Sequence, residues 1–176
     1  MTTASSIRAS TTHSSTRNGV ARSVTAAPIF GVVRTSSRRA AEVQAQAFRS
    51  GGLELIEITF TVPEATAVVS GLIEERSGDG PPWIGMGTVT SVERAEEALA
   101  AGAEFLITPN VAADVARVAS EAGVFLVVGA LTPSEIVAAA RLGADLVKVY
   151  PLPPVGGAAY LTTIRQPLLR SMPRMS

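Results

Sequence analysis

Lys148 is the single lysine in a chain of 176 residues that carries fifteen basic side chains. It lies in an apolar, β-branched run, DLVKVYP, at residues 145–151. Lysine is rarely buried, because removing its ammonium from water is costly unless its pKa falls or a counter-charge is present. On an inward-facing strand, the same loss of water favours the neutral amine, which can attack a carbonyl carbon. We therefore predict that Lys148 is an amine nucleophile; the alternative is an edge lysine whose ammonium reaches solvent.

A carboxylate, Glu57, lies in a second apolar run, LELIEITF, at residues 53–60. The two-residue period of a strand places Glu57 and Thr59 on one face of the run and its isoleucines on the other. In a barrel of parallel strands, catalytic groups collect on the interior face near the carboxyl ends of the strands, where Glu57 is expected. A partly buried carboxylate has a raised pKa and suits a general base that takes and returns a proton. The alternative is a strand glutamate that faces a surface helix.

Two short turns and one arginine add polar groups next to these runs. Residues 85–88 read GMGT and residues 108–110 read TPN, each after an apolar run. Gly87 permits close approach of the backbone to a ligand, and Thr88 offers a hydroxyl and a backbone N–H to a carboxylate. Ordinary strand-to-helix turns with a threonine N-cap have the same composition. Arg34, at the end of the first apolar run, can hold a carboxylate or phosphate through two parallel hydrogen bonds.

These candidate residues are positioned by a regular alternation of strands and helices that begins at residue 29. Short apolar runs alternate with stretches that are rich in Ala, Glu and Arg and have a helical period, which is typical of a parallel sheet with crossover helices. The predicted strands cover residues 29–33, 53–60, 83–87, 104–107, 124–128 and 145–149. The predicted helices cover residues 36–50, 63–76, 91–100, 111–121 and 132–141.

Glycines mark the ends of the predicted helices, and glycine motifs help to choose between a barrel and an open sheet. Glycines precede strands at positions 51–52, 102, 123 and 143, where a helix must end in a left-handed cap. Repeated αβ units close as a (β/α)8 barrel or remain open as a doubly wound sheet. No Gly-x-Gly-x-x-Gly turn follows the first strand, and no Gly-x-x-x-x-Gly-Lys-Ser/Thr segment occurs in the sequence. Without these phosphate-binding loops, the barrel is favoured.

The charge, cysteine content and apolar runs of the sequence argue against several kinds of partner and site. Fifteen basic and fifteen acidic residues give no net charge, so the sequence does not predict a nucleic-acid partner or binding to an acidic membrane. The chain has no cysteine, which excludes disulfides and thiolate chemistry, and its one histidine, His13, lies in a Ser/Thr-rich leader. No uninterrupted apolar stretch of about 18 residues occurs, so we expect no membrane span and a cytoplasmic location.

We expect two segments in the chain. Residues 1–27 are rich in Ser, Thr, Ala and Arg and contain no acidic residue, which predicts a disordered extension. Residues 28–176 are expected to form a barrel domain with about six of the eight βα units, incomplete at its C-terminus. An open sheet of this kind leaves unpaired strand edges.

Four short motifs occur in a fixed order along the chain. They are IEIT at residues 56–59, GMGT at 85–88, ITP at 107–109 and VKVYP at 147–151. In order and spacing they resemble the family of 2-keto-3-deoxy-6-phosphogluconate (KDPG) and 4-hydroxy-2-oxoglutarate (KHG) aldolases. The resemblance implies a (β/α)8 barrel, a homotrimer, and catalysis without a metal or another cofactor. It also implies that Lys148 forms a Schiff base with a keto acid and that Glu57 moves protons through a water molecule.

The same resemblance assigns roles around the keto acid, whose cleavage gives pyruvate and glyceraldehyde 3-phosphate or glyoxylate. It implies that Thr88 contacts the pyruvyl carboxylate, that Pro109 shapes the pocket and that Tyr150 packs beside the lysine. Many family members have an arginine four residues after the glutamate, where this chain has Thr61. Arg34 is a candidate to replace that arginine. The chain also stops where the family continues into two more strands and its phosphate-binding loops, so we expect a truncated chain.

Two other functions remain open from the sequence. One is a non-catalytic or inactive remnant of the same barrel, because the expected C-terminal segment is missing. The other is a barrel isomerase or epimerase that uses Glu57 as its base without forming an imine. A lyase with Lys148 as its nucleophile is the principal prediction.

Overall fold

The structure is a computed structural model that describes residues 3–169, with side chains for residues 15–168. The strands are β1 (Phe30–Val33), β2 (Leu55–Thr59), β3 (Trp83–Gly87), β4 (Phe105–Thr108), β5 (Phe125–Ala130) and β6 (Leu146–Val149). The helices are α1 (Thr3–Ala26), α2 (Arg38–Ser50), α3 (Ala65–Glu74), α4 (Val92–Ala100), α5 (Ala113–Ala122), α6 (Pro133–Arg141) and α7 (Ala158–Leu169), with a short 3-10 helix at Pro153–Val155. The side chain of His13 and the predicted domain boundary at residue 176 lie outside the described residues. No helix in the described part of the chain combines the length and apolarity that a membrane span requires.

All six strands pair in parallel and in chain order, from β1 at one edge to β6 at the other. Helices α2 to α6 each connect one strand to its neighbour, and right-handed crossovers place such helices on one face of the sheet. The result is a half-barrel of parallel strands. The predicted strands and connecting helices are confirmed, with ends that differ by one or two residues. Of the eight units of the expected barrel, residues 3–169 form six.

The outer, helix-covered face of the sheet holds the larger core. Ile56, Ile58 and Met86 from the strands pack there against small helix residues such as Ala45 and Val69. All five side chains are less than 2% exposed. Small residues on the inner side of each helix allow it to lie close to the sheet, and the apolar area removed from water stabilises the layer.

Side-chain caps fix the starts of three helices. Ser37 and Ser91 accept hydrogen bonds from backbone N–H groups of α2 and α4, and Thr132 forms a capping box with Glu135 at the start of α6. These caps satisfy N–H groups that have no partner within the helix. Ser91 and Thr132 are the first residues of two predicted helices and act as caps, whereas the cap of α2 is one residue after its predicted start at residue 36.

The concave face carries a second apolar cluster near the amino ends of the strands. Leu55, Trp83, Phe105 and Phe125 meet there, and Val20 of helix α1 is buried among them. This concave cluster fills the amino-terminal half of the face. The carboxyl ends of the strands are left for polar groups, as in other parallel αβ folds.

Helix α1 corrects the expectation that residues 1–27 form a disordered extension. The chain is helical from Thr3 to Ala26, Val20 is fully buried and Ser23 is 5% exposed. Serine and threonine are poor helix formers, so the composition predicts little order for the isolated segment. Tertiary packing supplies most helix stability in proteins, and here the concave face is the packing partner. The sequence signal for it is Val20 and Val24, one helical turn apart.

Helix α7 is an element that the sequence pattern does not predict. Ile164 and Leu168 are buried beside Ile136 of α6, and the Tyr160 hydroxyl donates to the Leu131 carbonyl at 2.7 Å. Pro167 lies inside this helix and interrupts its helical signature in the sequence. Contacts with α6 stabilise the helix in spite of the proline.

A buried ion pair supports the start of β3. Arg76 donates through Nη1 and Nη2 to the two carboxylate oxygens of Glu104, at 2.7 and 2.8 Å, and Glu104 also accepts from the Ile84 N–H at 2.9 Å. The two side chains are only 11% and 9% exposed. The Arg76 guanidinium also lies 5.6 Å from the Trp83 ring centroid, so the pair contacts the concave cluster.

Removal of Arg76 is expected to destabilise the fold, because it leaves a buried carboxylate without its counter-charge. Arg76→Met should lower the free energy of unfolding, measured by urea denaturation, by about 3 kcal/mol. Arg117→Met removes a guanidinium from the exposed pair with Glu121 and should change that free energy by about 0.5 kcal/mol or less. Equal effects of the two substitutions would contradict this account of the buried pair.

Candidate active site

The fold brings the predicted site residues to one end of the half-barrel. The carboxyl ends of parallel strands lie along the same edge of a sheet, where ligands bind in folds of this class. Seven predicted residues lie within or directly after the strands at that end: Arg34, Glu57, Gly87, Thr88, Pro109, Lys148 and Tyr150.

Glu57 and Lys148 share the concave face of the sheet. In β2, Leu55 packs in the concave cluster and Ile56 packs under the helices, so the alternation directs Glu57 to the concave side. In β6, Leu146 packs against the concave cluster, which gives Lys148 the same orientation. An amine and a carboxyl group from two distant strands therefore lie on one surface.

The Glu57 side chain is 2% exposed and lies against Gly87 of the neighbouring strand. Burial raises the pKa of Glu57 above its ordinary value, whereas the positive charges of Lys148 and Arg34 lower it. Burial has the larger effect, so the pKa of this carboxyl is raised. A side chain at position 87 would overlap the Glu57 carboxyl group. The glycine therefore provides the space that the carboxyl group occupies.

Lys148 is half-buried in β6, which is an edge strand of the described sheet. Its Nζ lies 5.3 Å from the ring centroid of Tyr150, close enough for a cation–π contact. The lysine is less deeply buried than its sequence context suggests, because an edge strand leaves one side of its residues open. Its amine is therefore accessible to a small molecule in the concave face.

Gly129 adjoins the candidate site and is absent from the residues predicted for it. It pairs in register with Lys148, and a side chain there would overlap the backbone carbonyl of Pro109. The close approach brings the turn after β4 beside the lysine. A glycine inside an apolar strand is the sequence signal for such an approach, and VVGA at residues 127–130 carries it.

Thr88 has a left-handed backbone conformation, with φ of 60°. A β-branched residue in this region carries a strain of about 1–3 kcal/mol. The Thr88 carbonyl accepts a hydrogen bond from Arg94 at 3.4 Å, and the next residue, Val89, donates to the Ile107 carbonyl at 3.1 Å. The turn is thus held from two neighbouring segments, and backbone strain of this kind is typical of ligand-binding turns.

The rim of the site contains one guanidinium and one aromatic ring from the predicted set. Arg34 follows β1 and is exposed, and Tyr150 is 49% exposed. Thr61 shares a hydrogen bond of 2.7 Å with the Thr59 hydroxyl, which also donates to the Val33 carbonyl at 3.1 Å. Positive charge at the rim of this face therefore comes from Arg34 rather than from position 61.

These groups support a defined set of chemical steps. A lysine amine can attack a carbonyl carbon, and a carboxyl group of raised pKa can both accept and return a proton. A guanidinium and a threonine hydroxyl can hold a carboxylate. Among the described residues, no group of three or more His, Cys, Asp or Glu side chains is placed to hold a metal ion.

The sequence matches a family model described as KDPG and KHG aldolase over residues 20–173. A 2-dehydro-3-deoxy-phosphogluconate aldolase of Treponema pallidum is 31% identical to this chain over 70% of it and 57% of the relative. The chain spans between 57% and 66% of the length of the first curated relatives that it matches.

Solved structures agree with the family match. The KDPG aldolase of Zymomonas mobilis with 3-phosphoglycerate superposes with a TM-score of 0.75 over 86% of this chain and 71% of that one, at 24% identity, and has the same fold. The KDPG aldolase of Legionella pneumophila, with pyruvate captured as a covalent carbinolamine, has a TM-score of 0.71 at 25% identity, over 82% of this chain and 68% of that one. The family match includes all the candidate site residues and most of the chain. This chain therefore belongs to the KDPG and KHG aldolase family.

Proposed function

We propose that this chain carries a class I aldolase site, in which Lys148 forms an imine with a 2-keto acid and Glu57 transfers protons. The proposed substrates are KDPG or KHG, cleaved to pyruvate and glyceraldehyde 3-phosphate or glyoxylate. The observation that best supports the proposal is the placement of Lys148 on the face that buries Glu57, near enough to lower the pKa of that carboxyl. The covalent pyruvate of the Legionella relative is consistent with the same chemistry.

The proposed reaction begins at the Lys148 amine. The neutral amine attacks the C2 carbonyl carbon, and loss of water leaves an iminium ion. The Glu57 carboxylate takes the proton of the C4 hydroxyl as the C3–C4 bond breaks, and the bond's electron pair moves toward the iminium nitrogen. This step releases the aldehyde and leaves an enamine. Glu57 then returns its proton to C3, and hydrolysis of the imine releases pyruvate.

The surrounding residues have proposed binding roles. Arg34 and Thr88 hold the carboxylate of the keto acid, as a charged donor and a hydroxyl donor. The turn at Pro109 and the ring of Tyr150 form walls of the pocket near Lys148. The closed barrel, the homotrimer and the cytoplasmic location expected from the sequence stay predictions.

Trapping with borohydride tests the imine. Incubation with pyruvate and borohydride should add the mass of one reduced pyruvyl group to the chain, detected by intact mass spectrometry. Lys148→Ala should abolish the adduct, and Lys148→Arg should abolish it while keeping the positive charge, because a guanidinium does not form the imine. An adduct on a folded wild-type chain that persists in both variants would contradict the assignment of the lysine. A folded wild-type chain without an adduct would contradict the imine mechanism.

Substitution of Glu57 tests the buried carboxyl through the pH dependence of stability. Its folded-state pKa lies above the ordinary value of 4.5, so the wild-type fold loses stability as the pH rises through that pKa. Glu57→Gln should therefore have the higher free energy of unfolding at neutral pH, measured by urea denaturation. The difference should vanish well below pH 4.5, where the carboxyl is protonated in the folded and unfolded states.

Glu57→Gln also tests the proposed proton transfer, independently of its effect on stability. Exchange of the pyruvate methyl protons in deuterated water, followed by NMR, should fall by about a hundredfold or more in Glu57→Gln. Glu121→Gln, at a 63% exposed side chain, is the matched control and should change neither quantity. A stability difference that does not vary with pH, or unchanged exchange, would contradict the role of Glu57.

Substitution of Thr88 tests whether its strain serves binding. Thr88→Gly removes both the strain and the hydroxyl, so it should raise the free energy of unfolding by about 1 kcal/mol. It should also raise the pyruvate concentration that half-saturates the trapping reaction about tenfold, since a hydrogen bond to a charged group is lost. Thr88→Ala removes the hydroxyl but keeps the strain, so it should weaken binding without the gain in stability. Unchanged half-saturation in both variants would contradict the proposed contact.

A further inference from the structure

Helix α1 is anchored directly to the start of β6. Arg17 donates to Asp145 Oδ1 from Nη2 at 2.7 Å and from Nε at 3.3 Å. The other oxygen of Asp145 accepts from the Leu126 N–H at 2.9 Å, which joins the same carboxylate to β5. Asp145 is the residue directly before β6, so the anchor acts on the end of that strand.

The next turns of the helix are anchored to β2 and β3. The Ser23 hydroxyl donates to Glu54 Oε2 at 2.5 Å and accepts from Trp83 Nε1 at 3.0 Å. Glu54 directly precedes β2, and Trp83 is the first residue of β3. Ser23 is 5% exposed, and its hydrogen bond with Trp83 is buried, whereas its hydrogen bond with the exposed Glu54 is partly buried.

Packing between the two anchors holds this part of the helix against the concave cluster. Val20 is fully buried in the concave cluster, and Gly19 lies so close to the Trp83 ring that a side chain there would overlap it. Arg17 and Ser23 are six residues apart, which corresponds to about 9 Å along a helix axis. The helix therefore spans the concave face between β6 and β2.

The two carboxylates that bind α1, Glu54 and Asp145, lie at the same distance along the chain from the two proposed catalytic groups. Glu54 precedes Glu57 by three residues in β2, and Asp145 precedes Lys148 by three residues in β6. Within the sheet, β2 and β6 are connected only through three intervening strands, and each strand pair can change its twist. Helix α1 is a direct link between them.

We propose that helix α1 is a positioning element that holds β6 against β2 and so sets the separation of Lys148 and Glu57, with Arg17 as its positioning residue. The proposal rests on the imine function proposed for Lys148. Arg17 contacts neither the amine nor the carboxyl of the site, and acts through Asp145 and the strand that follows it.

The electrostatics of the site provide a readout for this role. Lys148 and Arg34 are the charged groups that lower the pKa of Glu57. Displacement of β6 would move Lys148 away from Glu57 and leave Arg34 in place on β1. The pKa of Glu57 should then rise further, which a loss of global stability alone does not produce.

The experiment compares three variants of the full chain. Arg17→Met removes the cation but keeps an apolar stem, and Arg17→Lys keeps a donor for Asp145 Oδ1. Arg22→Met is the matched control, because Arg22 lies on the exposed side of the same helix and makes no ion pair with residues 15–168. The measurements are the rate of pyruvate trapping at saturating pyruvate, the Glu57 carboxyl titration by NMR, and amide exchange in β6.

Arg17→Met should trap pyruvate about threefold to tenfold more slowly, since small displacements of reacting groups are costly. Its Glu57 titration should move to higher pH and its β6 amides should exchange faster. Arg17→Lys should restore the trapping rate to within about twofold of wild type, and Arg22→Met should match wild type. Wild-type trapping and titration in Arg17→Met would overturn the proposal, even if β6 exchanged faster.

Failure of the proposed function has a different signature. If the wild-type chain traps no pyruvate, the imine function is wrong, and the Glu57 titration and the β6 exchange still test the helix. A titration shift in Arg17→Met, absent in Arg22→Met, would then support positioning by α1. An identical titration in both would overturn it.

Discussion

The buried carboxyl group of Glu57 constrains the arrangement of four strands in this half-barrel. At 2% exposure it has little water to stabilise a charge, so positive groups must be close, and Lys148 and Arg34 supply them from β6 and from the end of β1. Gly87 in β3 supplies the space that the carboxyl group occupies. Because loss of water outweighs the two positive charges, the pKa of the carboxyl stays raised, as the proton transfer proposed for Glu57 requires.

Two features of the candidate site lower the stability of the fold. A desolvated carboxyl and a threonine in the left-handed region both favour the unfolded chain. Apolar burial away from the site, chiefly in the core between sheet and helices, offsets these costs. Strain and buried charge at one edge of a well-packed sheet are the usual signs of a functional site.

Along the strands, the concave face has an apolar half and a polar half. Its amino-terminal half is apolar and is filled by large side chains and by helix α1. Its carboxyl-terminal half holds the polar groups of the candidate site. The division lets strands β2 and β6 be joined by packing and hydrogen bonds at one end while their other ends stay open to a ligand.

The six strands and the five connecting helices follow from sequence patterns alone, and the same patterns single out Lys148 and Glu57, whose roles stay predictions. Strand alternation, helix caps and glycine stops are local effects, and a lone lysine or a glutamate in an apolar run needs a reason to be there. Three features appear only in the folded chain: α1 is ordered, Gly129 admits the Pro109 turn, and Thr88 has a left-handed backbone. Each of these depends on contacts between segments far apart in the chain, and local propensity carries no information about such contacts.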